Sequence, residues 1–378
     1  MLEERLQKLP VLILAGGERR PKYKLRQFFN MLFYGERFLD YKPLANVRDK
    51  PMLQHVIDAF NSYDRTAGSA YIIGPRELGE ARRKRALTGF KEHIVYNGSF
   101  AQNIFVGLHT IIEKERPELV LISSCDIPRL SPAAIEEFVT ACSARDEPAC
   151  FYGAVINKSS IAKKGRFGWR PAIRCVEGRF RLVNLAAARI DEQMRELVRQ
   201  NYVAITEQKA TPGARLAELL DAGHDARRIL NPYNVKKLID IVREISPGLI
   251  SEAWDIVRRS YRAYLPGTQP GASLYEFENL ANRLLSDSGL GCRLKLVVTS
   301  DPGAAEDVDS QSDLAIERGR FDAASLAAIL LESGLGIALG YNALERASGA
   351  AAEAALGLLF LVFAVRNASL LYKAYRRN

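Results

Sequence analysis

The sequence predicts an α/β fold: a mixed, mostly parallel sheet flanked by helices, followed by a C-terminal helical hairpin. Three observations predict it. Short apolar runs alternate with helical stretches from residue 9 to about 140, the signature of parallel strands joined by crossovers. The first run ends in Ala15-Gly16-Gly17 and a later one in Ser124-Cys125-Asp126. Sheets of this kind place their sites at such strand ends. The last 56 residues hold two long stretches that are nearly free of charge.

The elements follow in order. Val11 to Leu14 reads as a buried strand closed by a Gly-Gly turn, where the backbone is open to close approach. Pro51 to Phe60 reads as an amphipathic helix with Met52, Val56, Ile57 and Phe60 on one face. Ala70 to Ile73 and His93 to Tyr96 are short strands, stopped by Gly74-Pro75 and Asn97-Gly98. Ala101 to Ile112 is helical, and Leu119 to Ile122 is the fourth strand. Ser131-Pro132 then starts a helix, with Ser as N-cap and Pro at the first helical position. Phe151 to Ile156 and Ala172 to Val176 read as strands, and Gly178 gives a hairpin turn before Phe180 to Leu185. Residues 213 to 285 are mostly helical, and Arg293 to Thr299 is a late strand. It leads to the acidic stretch from Asp307 to Asp313, where Ser310 caps another helix.

Composition bounds the function. With 48% hydrophobic and 26% charged residues, the chain of 378 can bury a real core and is not mainly disordered. Five scattered Cys show neither a disulfide framework nor a CxxC metal pair, and the four His lack metal-ligand spacing. A reducing, cytoplasmic setting fits this usage. The charged N-terminal residues and the short apolar run after them do not read as a signal peptide. The net charge of +9 suits anionic ligands. Arg19, Arg20, Lys22, Lys24 and Arg26 form one basic run beside the Gly turn. Arg82 to Arg85 form another, which reads equally well as a solvated helix face. No recognition module accompanies either run, so specific nucleic-acid binding ranks low.

The C-terminal part has two readings. Ala323 to Tyr341 and Ala347 to Val365 are each 19 residues with a single Glu, close to the length that crosses a bilayer. Gly336 and Gly340 are spaced for close helix contact, and Arg and Lys flank both outer ends. This pattern suits a hairpin anchored from the cytoplasmic face of a membrane. It suits equally an Ala/Leu-rich helical pair packed on the domain or on a second copy of the chain.

The chemistry gathers at two strand ends. A Gly-Gly turn lets backbone N–H groups approach a phosphate or a base, and nearby Lys and Arg neutralise phosphate charge. A carboxylate fixed at the sheet edge suits a hard divalent cation with nucleotide phosphates as co-ligands. A late acidic cluster offers a second carboxylate. Together these read as a phosphoryl-transfer constellation.

Six segments resemble a known family when taken in order: VLILAGG (11–17), KPLANVRDKPMLQHVIDAF (42–60), YIIGP (71–75), NGSFAQNIFVGL (97–108), LVLISSCDIPRLSPAAIEEF (119–138) and DVDSQSDL (307–314). They resemble the molybdenum-cofactor guanylyltransferase-like NTP transferases, nucleotidyltransferases of the Rossmann-like, GT-A-like α/β fold. The resemblance is good over 9–140 and 293–318 and thin between. It implies that an NTP is the substrate and that Mg²⁺ or Mn²⁺ is the cofactor. An NMP group would pass to a phosphorylated small molecule, with release of pyrophosphate. It implies nucleotide contacts for Ala15, Gly16 and Gly17, and base or ribose contacts for Ser99 and Asn103. Lys42 matches the Lys that binds the triphosphate, and Asp126 the principal metal ligand. Asp307 or Asp309 matches a late carboxylate at the metal, and Asn184 falls near the acceptor or a second metal position.

The chain departs from the family at one point. Residues 18–41 separate Gly17 from Lys42, where about ten residues are usual. Arg20, Lys22 or Lys24, in the basic run that opens this insert, is therefore an alternative to Lys42. The aromatic remainder, with Phe28, Phe29, Phe33, Tyr34 and Phe38, reads as a helix that extends the core, or else as a lid, an acceptor pocket or a lipid-facing surface. The expected organisation is a transferase domain over 1–320, with a divergent acceptor region about 150–290, and the apolar pair at 321–378. Two other functions stay open beside the enzyme: a catalytically degenerate nucleotide-binding sensor or partner module, and a membrane-tethered enzyme that activates a sugar phosphate or lipid headgroup.

Overall fold

The computed structural model describes residues 8–16, 42–143, 149–157, 173–175, 177–208, 217, 220–221, 240, 242–262, 271–289 and 291–305. They fall in two compact units, the larger holding 8–16 and 53–305 and the smaller 42–52. The strands are β1 (Val11–Leu14), β2 (Asn46–Val47), β3 (Lys50–Pro51), β4 (Ala70–Gly74), β5 (Glu92–Val95), β6 (Leu119–Ser124), β7 (Phe151–Asn157), β8 (Ile173–Cys175), β9 (Gly178–Arg189) and β10 (Leu294–Thr299). The helices are α1 (Met52–Asn61), α2 (Glu77–Arg83), α3 (Phe100–Glu115), α4 (Pro132–Ser143), α5 (Glu192–Glu207), α6 (Leu249–Arg262) and α7 (Leu274–Asp287).

The larger unit is built on one sheet in the order β10-β7-β9-β6-β1-β4-β5, with β8 paired to β9. The pairs β6-β1, β1-β4, β4-β5 and β10-β7 are parallel, while β9 runs antiparallel to β6 and β7. The expected mixed, mostly parallel sheet flanked by helices is what the chain forms. Its strand ends converge on one edge, because parallel neighbours start and stop in register: Leu14 lies opposite Ile73 on one side and Ser124 on the other.

Both faces of the central strands are buried, which is why they read as unbroken apolar runs. Leu12, Tyr71, Ile73, Val120 and Ile122 share one cluster with Ile104, Phe105, Leu108 and Ile111 of α3. Ile13, Ile72 and Leu121, also 0% exposed, alternate to the other face by the strand period of two. Ser99 starts α3 with a capping box: its Oγ accepts from Gln102 N, and the Gln102 side chain accepts from Ser99 N. Ser131 starts α4 in the expected way, its Oγ accepting from Ala134 N at 3.0 Å. The helix α5, which the sequence reading passed over, begins at an Asp191 N-cap and packs against α3. There the rings of His109 and Tyr202 stack with centroids 3.8 Å apart.

Helix α3 sits unusually close to β1 at Gly107. A Cβ there would lie 2.5 Å from Leu12 Cδ1, in a fully buried contact. Gly107→Ala is therefore expected to destabilise the protein by about 1–3 kcal/mol through overpacking. A urea titration checks this as a lower midpoint at unchanged slope.

The far edge of the sheet is closed by a helix rather than by a strand. Asn282 of α7 accepts from Leu294 N at 2.7 Å and donates to Leu294 O at 3.0 Å. Glu278 of the same helix accepts from Leu296 N at 2.9 Å. These side chains take the place of a neighbouring strand along β10.

The smaller unit is a two-stranded hairpin, β2 against β3, turned at Arg48 with φ of 58°. Val47, Met52 and Ala45 pack together beneath it. Lys42 opens the 3₁₀ turn Lys42–Leu44 that precedes it. Among the described residues no helix is long and apolar enough to cross a membrane. The apolar stretches 323–341 and 347–365, the insert 18–41 and the boundary at 320 lie outside the described residues.

Candidate active site

The C-terminal edge of the sheet brings together the ends of β1, β4 and β6, and the middle of β9. Ala15, fully buried, continues the β1 ladder by donating its N–H to Ile73 O at 2.9 Å. Cys125 does the same for β6, its N–H reaching Leu14 O at 3.2 Å, with the thiol buried as a small hydrophobe. The backbone therefore stays locked until one residue short of both Gly16 and Asp126. These two positions start where the ladder stops.

Gly16 is a position of close approach, as its place in the Gly turn predicts. A Cβ there would meet Asn103 Nδ2 at 2.5 Å and Asn97 Oδ1 at 3.4 Å. The turn after β1 thus abuts the loop between β5 and α3. Gly74 makes the third side: its missing Cβ would lie 2.8 Å from Ala15 O. Its carbonyl oxygen accepts from Tyr96 N at 3.1 Å.

The two polar residues expected at the base or ribose shape this loop. Asn103 is buried, its Oδ1 accepting from Gly98 N at 3.1 Å and its Nδ2 donating to Gly98 O at 3.2 Å. Ser99 is the N-cap of α3. Asp221 adds a second cap from far along the chain, accepting from Ala101 N at 2.8 Å. The sequence reading passed over both the Gly98 clamp and Asp221. The signal for the clamp is a polar Asn103 in the first turns of α3, close after Gly98, while nothing local points to Asp221.

Asp126 stands two residues beyond β6, half-buried. Its Oδ1 accepts from the Ser124 hydroxyl and from Asn184 Nδ2, the latter at 3.2 Å. Asn184 arrives there through register: Leu185 of β9 lies opposite Ser123 of β6, so Asn184 falls beside the end of β6. The structure thus joins Ala15, Gly16, Asn103, Ser99, Asp126 and Asn184 along one edge of the larger unit. Lys42 belongs to the smaller unit. Gly17, Arg20, Lys22, Lys24, Asp307 and Asp309 lie outside the described residues.

A further carboxylate follows β10 at Asp301 and holds the local backbone. Its Oδ2 accepts from Ser131 Oγ at 2.8 Å and its Oδ1 from Gly303 N at 2.6 Å. This ties the β10 end to the start of α4.

Among the described residues, no group of three or more His, Cys, Asp or Glu gathers to hold a metal ion. The donor set at Asp126 still suits Mg²⁺, which commonly takes one or two carboxylates and completes its shell with water and substrate phosphates. Burial raises the Cys150 thiol and pushes Cys292 up to about 12, so neither is a thiolate at neutral pH. A cleft of about 840 Å³ lies at the other end of α3, lined by His109, Glu113, Arg116, Arg195 and Arg199 among others. It is away from the strand ends that carry Gly16 and Asp126.

The model of the MobA-like NTP transferase domain matches residues 11–205, just over half of the 378. The chain belongs to that family. The match runs from β1 into α5 and so includes the ends of β1, β4 and β6 and Asn184 of β9, while β10 and Asp301 lie beyond it. This NTP transferase is similar to a hypothetical transferase from Thermus thermophilus at 17% identity and a TM-score of 0.51. That alignment covers 82% of this chain and 100% of the other. At that identity the likeness is one of fold. A CMP:2-keto-3-deoxy-manno-octonic acid synthetase solved with CTP aligns at 14% identity and a TM-score of 0.41, over 82% of this chain and 97% of that one. A 4-diphosphocytidyl-2C-methyl-D-erythritol synthase from Anaerococcus prevotii aligns at 10% and 0.42, over 83% and 95%. No curated protein matches the chain. By family the NTP transferase is a nucleotidyltransferase, an enzyme class that moves a nucleoside monophosphate from an NTP.

Proposed function

We propose that this NTP transferase holds an NTP across the ends of β1, β4 and β6 and transfers its NMP group to a phosphorylated small molecule. The observation that carries the reading is the adjacency of Gly16 and Asp126. They follow two hydrogen-bonded parallel strands, with Leu14 opposite Ser124, and neighbouring strands lie about 4.8 Å apart. Backbone groups open to a nucleotide and a carboxylate suited to a cation therefore sit side by side.

The roles follow from position. Ala15, Gly16 and Gly17 offer backbone to the nucleotide. Ser99 and Asn103 set the shape of the loop against which base or ribose rests. Lys42, or in its place Arg20, Lys22 or Lys24 of the basic run, supplies the positive charge that holds the triphosphate. Asp126 would hold Mg²⁺ or Mn²⁺, with Asp307 or Asp309 as the second carboxylate. A cation bound there would neutralise charge on the phosphate oxygens. An oxygen of the acceptor's phosphate attacks the α-phosphorus of the NTP. The bond from that phosphorus to the bridging oxygen breaks, and pyrophosphate leaves with the electron pair. The same reading assigns 1–320 to the transferase domain, with the acceptor region about 150–290. It assigns 321–378 to an apolar helical pair that anchors the protein to a cytoplasmic membrane face or packs against protein.

Pyrophosphate release tests this, measured with each of four NTPs and Mg²⁺ against a pool of phosphorylated metabolites. Turnover with one NTP is expected, and it names the donor. Binding of an NTP with no release from any combination would support the sensor reading instead.

A further inference from the structure

We infer that Ser124 and Asn184 are positioning residues for Asp126, and through it for the divalent cation; this rests on the function proposed above. An aspartate carboxylate turns easily, because its last torsion is broad and roughly two-fold. Here two donors reach the same oxygen, Oδ1, from different strands. The Ser124 hydroxyl comes from the last residue of β6, and the Asn184 amide comes from β9 at 3.2 Å. A Ser two residues before an Asp can by itself be a local turn device. Asn184 is not local. It lies 58 residues further along the chain and is delivered by the antiparallel register of β9 on β6.

Two bonds to one oxygen fix the plane of the carboxylate. They set the direction of its second oxygen before any ligand arrives. Partners that orient a ligating carboxylate in this way typically contribute 10- to 100-fold to metal affinity. Asn184 acts here through its N–H, as a donor to Asp126, rather than as a ligand of the cation itself. Ser124 and Asn184 also act on the same atom, so their effects overlap rather than add.

The test uses the full chain and Mn²⁺ followed by electron paramagnetic resonance, with an α,β-methylene NTP analogue. Ser124→Ala and Asn184→Leu are each expected to weaken Mn²⁺ binding about 10- to 100-fold. The double variant is expected to be little weaker than the worse single one. Ser124→Thr keeps the hydroxyl and is expected to stay close to wild type. Equal Mn²⁺ affinity in wild type, Ser124→Ala and Asn184→Leu overturns the inference, as does wild-type protein that binds no Mn²⁺. Should Asn184→Leu fail to fold, the contrast between Ser124→Ala and Ser124→Thr decides. A wild type that binds Mn²⁺ but turns over no NTP overturns the transferase reading alone, since the Mn²⁺ contrast is still read.

Discussion

Asp126→Ala is expected to lower kcat for pyrophosphate release by about a thousandfold, the scale on which a single electrostatic group at a reacting centre acts. The fold should survive it. The backbone ladder of β6 runs from Leu119 to Ser124, and the last contact to β1 is the Cys125 N–H on Leu14 O. None of those bonds uses the Asp126 side chain. Removing the carboxylate leaves the donors of Ser124 and Asn184 to a half-buried edge, where water replaces it. The unfolding free energy should therefore change by no more than about 1 kcal/mol. Steady-state kinetics and a urea titration on the same preparation separate the two quantities. Retained turnover in a folded Asp126→Ala variant would move the chemistry away from the β6 end.

Glu278→Ala should show the opposite pattern, with a large loss of stability and no direct chemical role. Glu278 is 7% exposed. One oxygen accepts from Leu296 N at 2.9 Å, and the other pairs with Lys295 Nζ at 2.8 Å. Truncation leaves a backbone N–H and an ammonium group without this partner. Breaking a buried pair typically costs about 3–5 kcal/mol. The Lys295 side chain keeps 27% of its exposure, so water softens the loss to about 2–3 kcal/mol. Glu278→Gln, which keeps an acceptor for Leu296 N, should lose about half of that. The midpoint of urea unfolding reads both.

Much of the sheet was legible in the residues. Val11 to Leu14 is a strand with the expected ends, and Ser131 caps α4 as its sequence implies. Asp126 stands just beyond a strand end, where an Asp after an apolar run should stand. The strands β4, β6 and β7 run one or two residues past their expected ends, because neighbours in the sheet extend them, while β5 is shifted by one residue and β10 starts one residue later than expected. The strand β9 shows tertiary context overriding local preference. Ala186, Ala187 and Ala188 favour helix in isolation, yet they pair with Ile122, Leu121 and Val120 on one side and with β7 on the other. The expected strand stopped at Leu185 for that reason.

The site was legible as strand ends and not as contacts. The bond from Asn184 to Asp126 depends on an antiparallel register 58 residues apart, and no local pattern encodes it. Asn103 carries a binding-type motif, but both ends of its amide are committed to Gly98. The close approach expected at Gly16 is real, and its immediate occupant is the Asn103 side chain.

The helix that closes β10 has a meaning beyond stability. An open strand edge is a template on which another chain can add itself, and growth by such addition is how many sheets aggregate. Here the N–H and C=O of Leu294 and the N–H of Leu296 are already taken by Asn282 and Glu278. A neighbouring copy finds no continuous row of donors and acceptors there. The same two side chains that finish this part of the sheet thus also interrupt its row, which makes the edge a poorer template for propagation from one molecule to the next.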